Sequence, residues 1–372
     1  MTSHAATSRA VTLQDIADRC GLSLFTVSLA LRGDPRVKPA TAERVRAAAA
    51  ELGYDPARNQ AARRMAMLRH GRQVINRVVA LFVPENVEEV AYYNRLFWGV
   101  LHGLVAEGYA MLVNKLPCAK GQPGPDLTPL VRQGDIDGII VPENPAADAQ
   151  VAALRQRAGR ALPLVSLIWP GEDCSSVVAD DEAGMYAATR HLLDLGHREL
   201  LYLAQAYSNA LSRWRMAGIG RALAEAGLSP DRCLHTMPVF PYWYSPPSDA
   251  RAHRAEDGGE HPLVRWLRAH PAVTAVLGWN DSAALHAWYT LEGAGWRIPA
   301  DISIIGFDDT TPMPGPAGEN LLTSVRVPLR DIGAEAARLI VRRIHGDLTD
   351  DECRTLPTTL EVRASTAPAR AR

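Results

Sequence analysis

The 372-residue chain contains few cysteines and no long apolar run, and each shortage excludes a class of protein. Its five cysteines are odd in number, lie far apart and lack metal-ligand spacing, so neither a disulfide framework nor a cysteine-bound metal is predicted. The longest apolar runs, such as residues 78–83, have the length of a strand, whereas a membrane-spanning helix needs ~20 apolar residues. Because the first residues also lack the apolar stretch of a signal peptide, we expect a protein of the reducing cytoplasm with no membrane segment.

The chain also lacks the common motifs of catalytic sites. It contains no Gly-x-Ser-x-Gly, no phosphate-binding Gly-Lys-Ser/Thr and no His-Glu-x-x-His, and its histidines and cysteines are scattered. We therefore predict no catalytic residue, no metal ligand and no cofactor. A solute-binding protein or an enzyme on an α/β fold remains the alternative, but a solute-binding protein requires the export signal that is missing here.

Charge is distributed unevenly along the chain. The formal net charge is only −1, yet residues 1–77 hold 13 Lys and Arg against 6 Asp and Glu, whereas the remainder holds 27 against 35. The first segment therefore carries +7 and the second −8. A basic N-terminal segment indicates a polyanionic partner such as a nucleic acid, with a solvated basic face as the alternative interpretation.

The first 60 residues have the pattern of three short helices. Thr12 stands three residues before an aspartate, a capping pattern at a helix start, and Gly21 permits a tight turn after that helix. Ser23 can cap a second helix over residues 24–31, and a third is predicted over residues 39–52. Apolar side chains at helical spacing predict the core of this unit: Ile16, Ala17, Val27, Leu31, Val45, Ala48 and Leu52.

This segment resembles the helix-turn-helix domain of the lactose-repressor (LacI) family. The matching motifs are Val11-Thr12-Leu13-x-Asp15-Ile16-Ala17, Gly21-x-Ser23, Thr26-Val27-Ser28, Val45 and Leu52-Gly53-Tyr54-x-Pro56. The resemblance implies that the second helix enters a major groove of operator DNA. A three-helix bundle without a DNA role is the alternative, which the basic charge disfavours.

The face that would meet the bases departs from the family pattern. The family reads bases with the two side chains after the capping serine and with a later polar residue, and these positions hold Leu24, Phe25 and Leu29 here. Because apolar side chains contact thymine methyl groups, we expect readout through methyl contacts, Thr26, Ser28 and DNA shape. Three cations are expected at phosphates: Arg32, Arg36 and Lys38. The full set expected at the DNA is Thr12, Leu13, Ser23, Leu24, Phe25, Thr26, Ser28, Leu29, Arg32, Arg36, Lys38, Tyr54, Arg58, Arg63 and Met65.

Residues 57–69 are helix-prone but too short and polar to form a stable helix alone. They resemble the family's hinge helix, which folds when paired with its dimer mate in the minor groove and wedges an apolar side chain between base pairs. Counted from Pro56, the usual leucine position holds Arg63, whereas Met65 lies two residues later and is the candidate wedge. The register therefore stays open, and a basic, solvated linker is the alternative.

From residue 78 onward, strand-like apolar runs alternate with amphipathic helical stretches, the pattern of parallel sheets covered on both faces. Seven runs predict strands: 78–83, 110–113, 138–141, 163–168, 200–203, 274–277 and 302–305. Four stretches predict helices: 94–107, 182–195, 213–226 and 281–294. So many βα units imply two doubly wound subdomains.

The resemblance to the LacI family continues through this region. It rests on Asp180-Asp181-x-x-Gly184, His191-Leu192-x-x-Leu195-Gly196-His197, Arg215-x-x-Gly218, Asn280-Asp281, Pro299-x-Asp301-Ile302-Ser303-Ile304-Ile305-Gly306-Phe307-Asp308-Asp309 and Leu322-Thr323-Ser324-Val325. It implies a periplasmic-binding-protein-like (type I) α/β domain behind the all-α N-terminal domain. The expected domains are a helix-turn-helix over 1–57, a hinge helix and basic linker over 58–77, and an effector-binding and dimerisation domain over 78–372. Within the last, the expected subdomains are about 78–179 with 327–356, and about 180–326 with 357–372.

Ligands of such folds lie beyond the carboxyl ends of the strands, here between the subdomains. The family uses the positions of Arg215, Asn280 and Asp308 for its effector, and a guanidinium, an amide and a carboxylate suit paired sugar hydroxyls. A surface ion pair is the alternative for the arginine. Sugar faces also stack on aromatic rings, for which core packing is the alternative role. The candidate rings are Trp243, Tyr92 and Phe97, with Trp169 and Trp279 behind them.

Together these features predict a sequence-specific DNA-binding transcription regulator rather than an enzyme. We expect a cytoplasmic repressor, nucleoid-associated when bound, that acts as a homodimer on double-stranded operator DNA. A small-molecule effector, expected to be a carbohydrate or related polyol, would control its operator affinity. Whether the effector releases the protein from DNA or promotes binding is left open by the sequence.

Overall fold

A computed structural model of the chain describes residues 11–31, 33–54, 75–83, 91–115, 135–142, 162–170, 174–205, 210–239 and 260–370. The chain divides into two units, Met1–Ile75 and Asn76–Arg372, each of which is taken by itself below. Among the described residues, no helix is both long enough and apolar enough to cross a membrane.

The described residues of the first unit form three helices: α1 (Leu13–Cys20), α2 (Leu24–Leu31) and α3 (Pro39–Glu51). Thr12 and Asp15 form a reciprocal capping box, in which each side chain accepts a hydrogen bond from the other residue's backbone N–H. Gly21 ends α1 with a φ of 62°, a left-handed conformation that glycine adopts without steric cost. The tight turn that results brings α2 directly after α1.

The core of this unit consists of small and branched apolar side chains from all three helices. Every residue predicted for this core packs there, five of them buried and Leu31 and Leu52 partly buried. The buried cluster comprises Ile16, Ala17, Val27, Ala30, Ala42, Val45, Ala48 and Ala49.

The described residues of the second unit form two six-stranded sheets. The first is built from β1 (Val78–Val83), β2 (Ala110–Lys115), β3 (Gly138–Val141), β4 (Leu164–Leu167), β5 (Ser175–Ala179) and β11 (Cys353–Leu356). Their order is β11-β5-β4-β3-β1-β2, and all neighbouring strands run parallel. β3, β4 and β5 are buried along their whole length, as expected of central strands in a parallel sheet.

The second sheet is built from β6 (Glu199–Ala204), β7 (Leu234–Pro238), β8 (Val273–Gly278), β9 (Ser303–Asp308), β10 (Thr323–Arg326) and β12 (Thr359–Glu361). Their order is β12-β10-β9-β8-β6-β7. All neighbours are parallel except β12, which pairs antiparallel to β10. β9 therefore occupies a central position, and its carboxyl end opens toward the loop at Asp308.

In the part of the second unit that the structure describes, seven helices accompany these sheets: α4 (Ala91–Ala106), α5 (Asp181–Asp194), α6 (Ala210–Glu225), α7 (Pro230–Cys233), α8 (Pro262–Ala269), α9 (Asp281–Gly293) and α10 (Leu329–His345). α4 packs against α10, which also contacts β3, β4 and β5 of the first sheet. α5 packs against α6 and touches β8, β10 and β12 of the second. The chain passes between the sheets three times, after β5, after β10 and after β11, and thereby joins two subdomains.

Candidate functional site

The most deeply buried cation of the candidate site is Arg215 on α6, whose side chain is 3% exposed. Its guanidinium lies between two aromatic rings, 3.8 Å from the centroid of Phe307 and 4.1 Å from that of Trp279. Contacts of this kind stabilise a cation that water no longer solvates. A buried charge also needs ionic or hydrogen-bonding partners, because desolvation alone would expel it.

Those partners surround the guanidinium on its edges. Nε donates to Asp181 Oδ1 at 2.6 Å, and Nη1 donates to the main-chain oxygen of Trp279. Nη2 lies 3.7 Å from Asp308 Oδ1, within ion-pair range. Burial opposes the charge on Arg215, but the two carboxylates outweigh it and raise the pKa of the guanidinium. Arg215 is therefore a permanent cation fixed between two anions.

Asp308 ends β9 and Asp309 follows it, with φ values of 97° and 52°. Positive φ values of this kind are uncommon for residues other than glycine. Such backbone persists only where the surroundings hold it in place. The Asp309 carboxylate is ion-paired with Arg326 at 2.9 Å and with Arg363 at 2.8 Å. The backbone N–H of Asp309 donates to Ser324 Oγ. These contacts hold the strand end that carries Asp308.

The carboxylate of Asp281, at the start of α9, also holds this strand end in place through hydrogen bonds. It accepts hydrogen bonds from the backbone N–H groups of Thr310 and Thr311 at 2.6 and 3.0 Å and from Ser324 Oγ at 2.5 Å. Burial nevertheless dominates and raises its pKa to about 6. Residue 306 in β9 must be glycine, because a Cβ at that position would overlap Asp281 Oδ1. Asp281 thus fixes the loop that follows β9.

The start of α4 brings residues of the first subdomain to this strand end. Arg95 Nη1 donates to the main-chain oxygen of Asp309 at 2.8 Å. The pKa of Tyr92 is raised well above its usual value, first by burial and then by the charges of Asp308 and Asp181. Tyr92 therefore lies close to the ionic cluster on α5, α6 and β9. The candidate site is consequently built from both subdomains.

Asn280 follows β8 and caps α9, with its side-chain oxygen accepting from Ala283 N at 2.9 Å. Its position next to Trp279 puts it beside Arg215, which bonds the Trp279 carbonyl. Because the amide oxygen is engaged in the cap, the amide nitrogen is the group that Asn280 would offer to a ligand.

The aromatic candidates separate in the structure. Tyr92 lies at the ionic cluster, whereas Phe97 packs on Tyr93 along another stripe of α4, with ring centroids 5.9 Å apart. Trp279 is 7% exposed and uses its ring to cover Arg215, and Trp169 is half-buried after β4. Trp243 lies outside the described residues. Tyr92 is therefore the ring best placed to contact a ligand.

Sequence reasoning did not assign a role to Asp181, Arg95 or Asp309. For the two aspartates the signal was present, because they belong to the motifs Asp180-Asp181 and Asp308-Asp309. Arg95 carries no such signal, since its contact with Asp309 spans 214 residues of sequence. Only the folded chain shows that it reaches the other subdomain.

A cavity of about 480 Å³ lies away from this cluster, on the face formed by α10 and β11. It is lined by Asp331, Glu335, Arg338, Arg354, Thr355 and Leu356. Three of its four charged lining residues are ion-paired, Arg338 with Glu335 and Arg354 with both Glu335 and Glu352. No group of three or more His, Cys, Asp or Glu side chains in the described part of the chain is arranged to hold a metal ion.

On the N-terminal unit, the exposed start of α2 is apolar. Leu24 is 44% exposed and Phe25 67% exposed, and α2 contains no charged residue. The polar groups beside them are partly engaged, because Ser23 Oγ accepts from Thr26 N at 3.1 Å and lies 2.8 Å from Thr26 Oγ1. Ser28 is half-buried. The outward face of α2 thus offers mainly two apolar side chains.

Leu29 requires a correction to the sequence interpretation. We assigned it to the face that meets the bases, together with Leu24 and Phe25, but Leu29 is buried, with only 9% of its surface exposed. The chain turns back just after α2, and Asp34 N donates to Leu29 O at 3.1 Å. Leu29 therefore stabilises the fold of this unit and does not belong to its apolar outer face.

The other residues assigned to DNA lie in varied surroundings. Thr12 caps α1, and Leu13 and Tyr54 pack partly buried against the helical core. Arg36 is exposed but pairs with Asp34 at 2.8 Å, and Lys38 is exposed at the start of α3 without a side-chain capping bond. Four assigned residues lie outside the described part of the chain: Arg32, Arg58, Arg63 and Met65.

Comparisons with known proteins match both units. The family described as bacterial regulatory proteins, lacI family, matches residues 12–57, and the periplasmic binding protein-like domain matches residues 189–366. The HTH-type transcriptional regulator CelR of Thermobifida fusca is 30% identical over 367 residues, which cover 96% of this chain and 98% of CelR.

Two solved structures are similar over most of the chain. A complex of the transcriptional regulator CelR with cellobiose has 26% identity and a TM-score of 0.62, covering 95% of this chain and 99% of that one. A LacI family transcriptional regulator from Enterococcus faecium with bound ribose has 25% identity and a TM-score of 0.61. It covers 79% of this chain and 100% of that one.

Proposed function

Because the chain belongs to the LacI family of bacterial transcription regulators, we propose that it is a homodimeric repressor whose affinity for a pseudo-palindromic operator is controlled by a bound sugar. Its curated relatives are named transcriptional regulators, and the chain is a regulator rather than an enzyme. In this proposal, residues 1–57 bind DNA, residues 58–77 form the hinge helix and linker, and residues 78–372 bind the effector and dimerise.

The DNA-binding half of the proposal is supported by charge and by the shape of the first unit. Residues 1–77 carry +7, which suits the phosphate backbone, and α2 follows α1 after the tight turn at Gly21. Leu24 and Phe25 would contact base edges, while Arg36 and Lys38 would meet phosphates. Pairing of hinge segments in the minor groove, with Met65 as the candidate wedge, would require the dimer.

The single observation that carries the effector half is the buried Arg215, held between Asp181 and Asp308 at the place where Tyr92 and Arg95 arrive from the other subdomain. A buried ion cluster at a junction of subdomains is costly to build, and it is typical of binding sites. The relatives solved with cellobiose and with ribose support a sugar as its ligand. Asn280, Phe97 and Trp243 are further candidates for contacts with that sugar.

The same geometry suggests how binding would reach the DNA. Tyr92 and Arg95 belong to one subdomain, whereas Arg215 and Asp308 belong to the other. A ligand that contacts both sets favours one arrangement of the subdomains, and it shifts the equilibrium by its difference in affinity for the two arrangements. By linkage, an operator that prefers the other arrangement would in turn lower the affinity of the protein for the sugar.

The experiment removes residues 1–60 and measures both activities. Operators are first selected from random duplexes with the full chain, and effectors are found by a thermal-shift screen of sugars, sugar acids and nucleosides, because a ligand of the folded state raises its stability. The truncated chain is expected to lose operator binding completely and to keep its thermal shift with the effector. Retained operator binding would contradict the assignment of the DNA-binding domain, and lost effector binding would contradict the assignment of the cleft.

A further inference from the structure

Three ionic groups are buried together at the junction of the subdomains: the guanidinium of Arg215 and the carboxylates of Asp181 and Asp308. Their side chains are 3%, 2% and 11% exposed. The 2.6 Å bond from Arg215 favours the ionised carboxylate of Asp181 and opposes burial, which raises the pKa of this carboxyl. The cluster therefore carries one positive and two negative charges. Because water screens buried charges weakly, its net charge of about −1 acts on any ligand beside it.

The guanidinium offers an anion only positions that lie close to carboxylates. Proteins usually hold a phosphate or carboxylate by two parallel N–H bonds from one arginine. In Arg215, Nε is bonded to Asp181, Nη1 is bonded to the Trp279 carbonyl, and Nη2 faces Asp308 at 3.7 Å. An anionic ligand held by the remaining N–H groups of Nη1 and Nη2 would therefore lie beside the carboxylate of Asp308, which repels it.

The neighbouring charged groups do not reverse the net negative charge of the Arg215 cluster. Arg326 and Arg363 are ion-paired with the carboxylate of Asp309, and Arg95 donates to the Asp309 main-chain oxygen. Asp281 is a further buried acid, whose oxygens accept three hydrogen bonds from the loop after β9 and from β10. Arg326 is also ion-paired with Glu361, so the two arginines and the two carboxylates cancel, and the charge of Arg95 is offset by that of Asp281 above about pH 6. The remaining net charge is that of the Arg215 cluster.

We propose that this site takes a neutral polyhydroxyl compound and excludes phosphate esters and sugar acids, and that Asp181 is the residue that determines this preference. The inference rests on the proposed function, since it concerns the same site. A hydroxyl group donates to the Asp308 carboxylate and accepts from Arg215 without bringing a charge. Asp181 acts through Arg215, whose charge it neutralises, and is therefore a specificity-determining residue without needing to touch the ligand.

The test changes the charge of the cluster stepwise in the full chain. Asp181→Asn keeps a side-chain oxygen for Nε while removing one negative charge, and the double variant with Asp308→Asn removes both, so that the cluster passes from −1 through 0 to +1. The matched control is Asp194→Asn on the same helix, whose side chain is 66% exposed and pairs with Arg190. The first probe is inorganic phosphate, titrated calorimetrically at constant ionic strength. We expect phosphate to bind the double variant at least tenfold more tightly than the wild-type chain or the control.

The second probe is a panel of matched pairs: glucose and glucose 6-phosphate, ribose and ribose 5-phosphate, cellobiose and cellobionate. We expect each neutral sugar that binds to do so at least tenfold more tightly than its anionic partner, and this ratio to fall at least tenfold in Asp181→Asn. A merely structural role for Asp181 would weaken both members of a pair equally and leave the ratio unchanged, which would overturn the inference.

The outcomes separate this inference from the proposed function. An anionic member that binds the wild-type chain as tightly as its neutral partner and alters operator binding would overturn the inference and support a ligand-controlled regulator. Phosphate that binds the double variant no more tightly than the wild-type chain would also overturn it. If phosphate affinity follows the charge series while no sugar binds, the exclusion of anions through Asp181 is supported, whereas the neutral polyhydroxyl ligand and with it the sugar effector of the proposed function fail.

Discussion

Thymine methyl groups are the base features that the exposed start of α2 is suited to contact, because Leu24 and Phe25 are 44% and 67% exposed there. The perturbation is the replacement of single thymines of a selected operator by deoxyuridine. This change removes one methyl group from the major groove and leaves every hydrogen-bonding group of the base pair in place. We expect operator affinity to fall at those thymines that contact these two side chains.

The magnitude follows from the area that each contact removes from water. Burial of one apolar carbon is worth about 0.8 kcal/mol, which corresponds to about a fourfold change in the dissociation constant at 25 °C. Loss of one contacted methyl per half-site of a symmetric operator therefore predicts about 16-fold weaker binding if the two effects add. Phe25, the more exposed of the two side chains, is expected to account for the larger share.

The assay is a double-mutant cycle measured by fluorescence anisotropy with the full chain at fixed salt concentration. Wild-type protein and Phe25→Ala are each titrated against the thymine and the deoxyuridine operators, and Leu24→Ala is treated in the same way. The control Val362→Ala also shortens an exposed apolar side chain, 57% exposed, but lies outside the N-terminal unit. The deoxyuridine penalty should persist in the control and fall below about 1.5-fold in the variant that lost the contact.

An equal deoxyuridine penalty in the wild-type chain, Phe25→Ala and Leu24→Ala at every thymine would contradict the contact of these two side chains with thymine methyl groups. It would show that the methyl groups act through DNA shape or through other residues. A complete absence of deoxyuridine penalties would show that α2 reads the operator through polar groups such as those of Thr26 and Ser28.

Two further predictions concern the support of the strand end that carries Asp308. Because burial raises the folded-state pKa of Asp281 to about 6 from an ordinary 3.8, this group stabilises the fold below about pH 4 and loses that contribution as pH rises through about 6. Urea unfolding should show the wild-type chain losing about 3 kcal/mol more than Asp281→Asn between pH 4 and pH 7, and parallel pH profiles would contradict this. Gly306→Ala places a Cβ against Asp281 Oδ1 and should lower the free energy of unfolding by about 1–3 kcal/mol. Gly293→Ala, which meets no atom within 4 Å, should leave it unchanged or raise it slightly, and equal losses in both variants would contradict the steric argument.

The N-terminal unit could be predicted closely from sequence because its determinants are local. The capping box of Thr12, the turn at Gly21 and the apolar spacing in three helices lie within a few residues of the contacts they make. Leu29 is the exception. Its burial depends on how the chain turns after α2, a feature that residue spacing within the helix does not specify.

In the second unit, the seven apolar runs predicted β1–β4, β6, β8 and β9, whereas β5, β7, β10, β11 and β12 were missed. β7, with the sequence Leu-His-Thr-Met-Pro, is a half-exposed edge strand and lacks an apolar run. β11 and β12 lie at the edges of their sheets and owe their strand conformation to pairing with β5 and β10, far away in sequence.

The candidate site shows the same limit. The family motifs indicated Arg215, Asn280 and Asp308, but the pairing of Arg215 with Asp181 and the contact between Arg95 and Asp309 depend on the folded arrangement. Charge at a buried site is a property of the whole cluster. The sequence positions of its members therefore predict which groups are present but not which of them neutralise each other.

In the proposed mechanism, a ligand beside Arg215 and Asp308 controls the affinity of the N-terminal unit for DNA. The most direct test is the dissociation constant of the selected operator, measured with and without saturating effector, for the wild-type chain and Asp308→Asn. We expect the effector to change the dissociation constant of the wild-type chain for the operator at least tenfold. For Asp308→Asn we expect an effector-free dissociation constant within about twofold of wild type and a change below about twofold. An undiminished effector response in Asp308→Asn would contradict the account, because control of DNA binding would then originate outside this site.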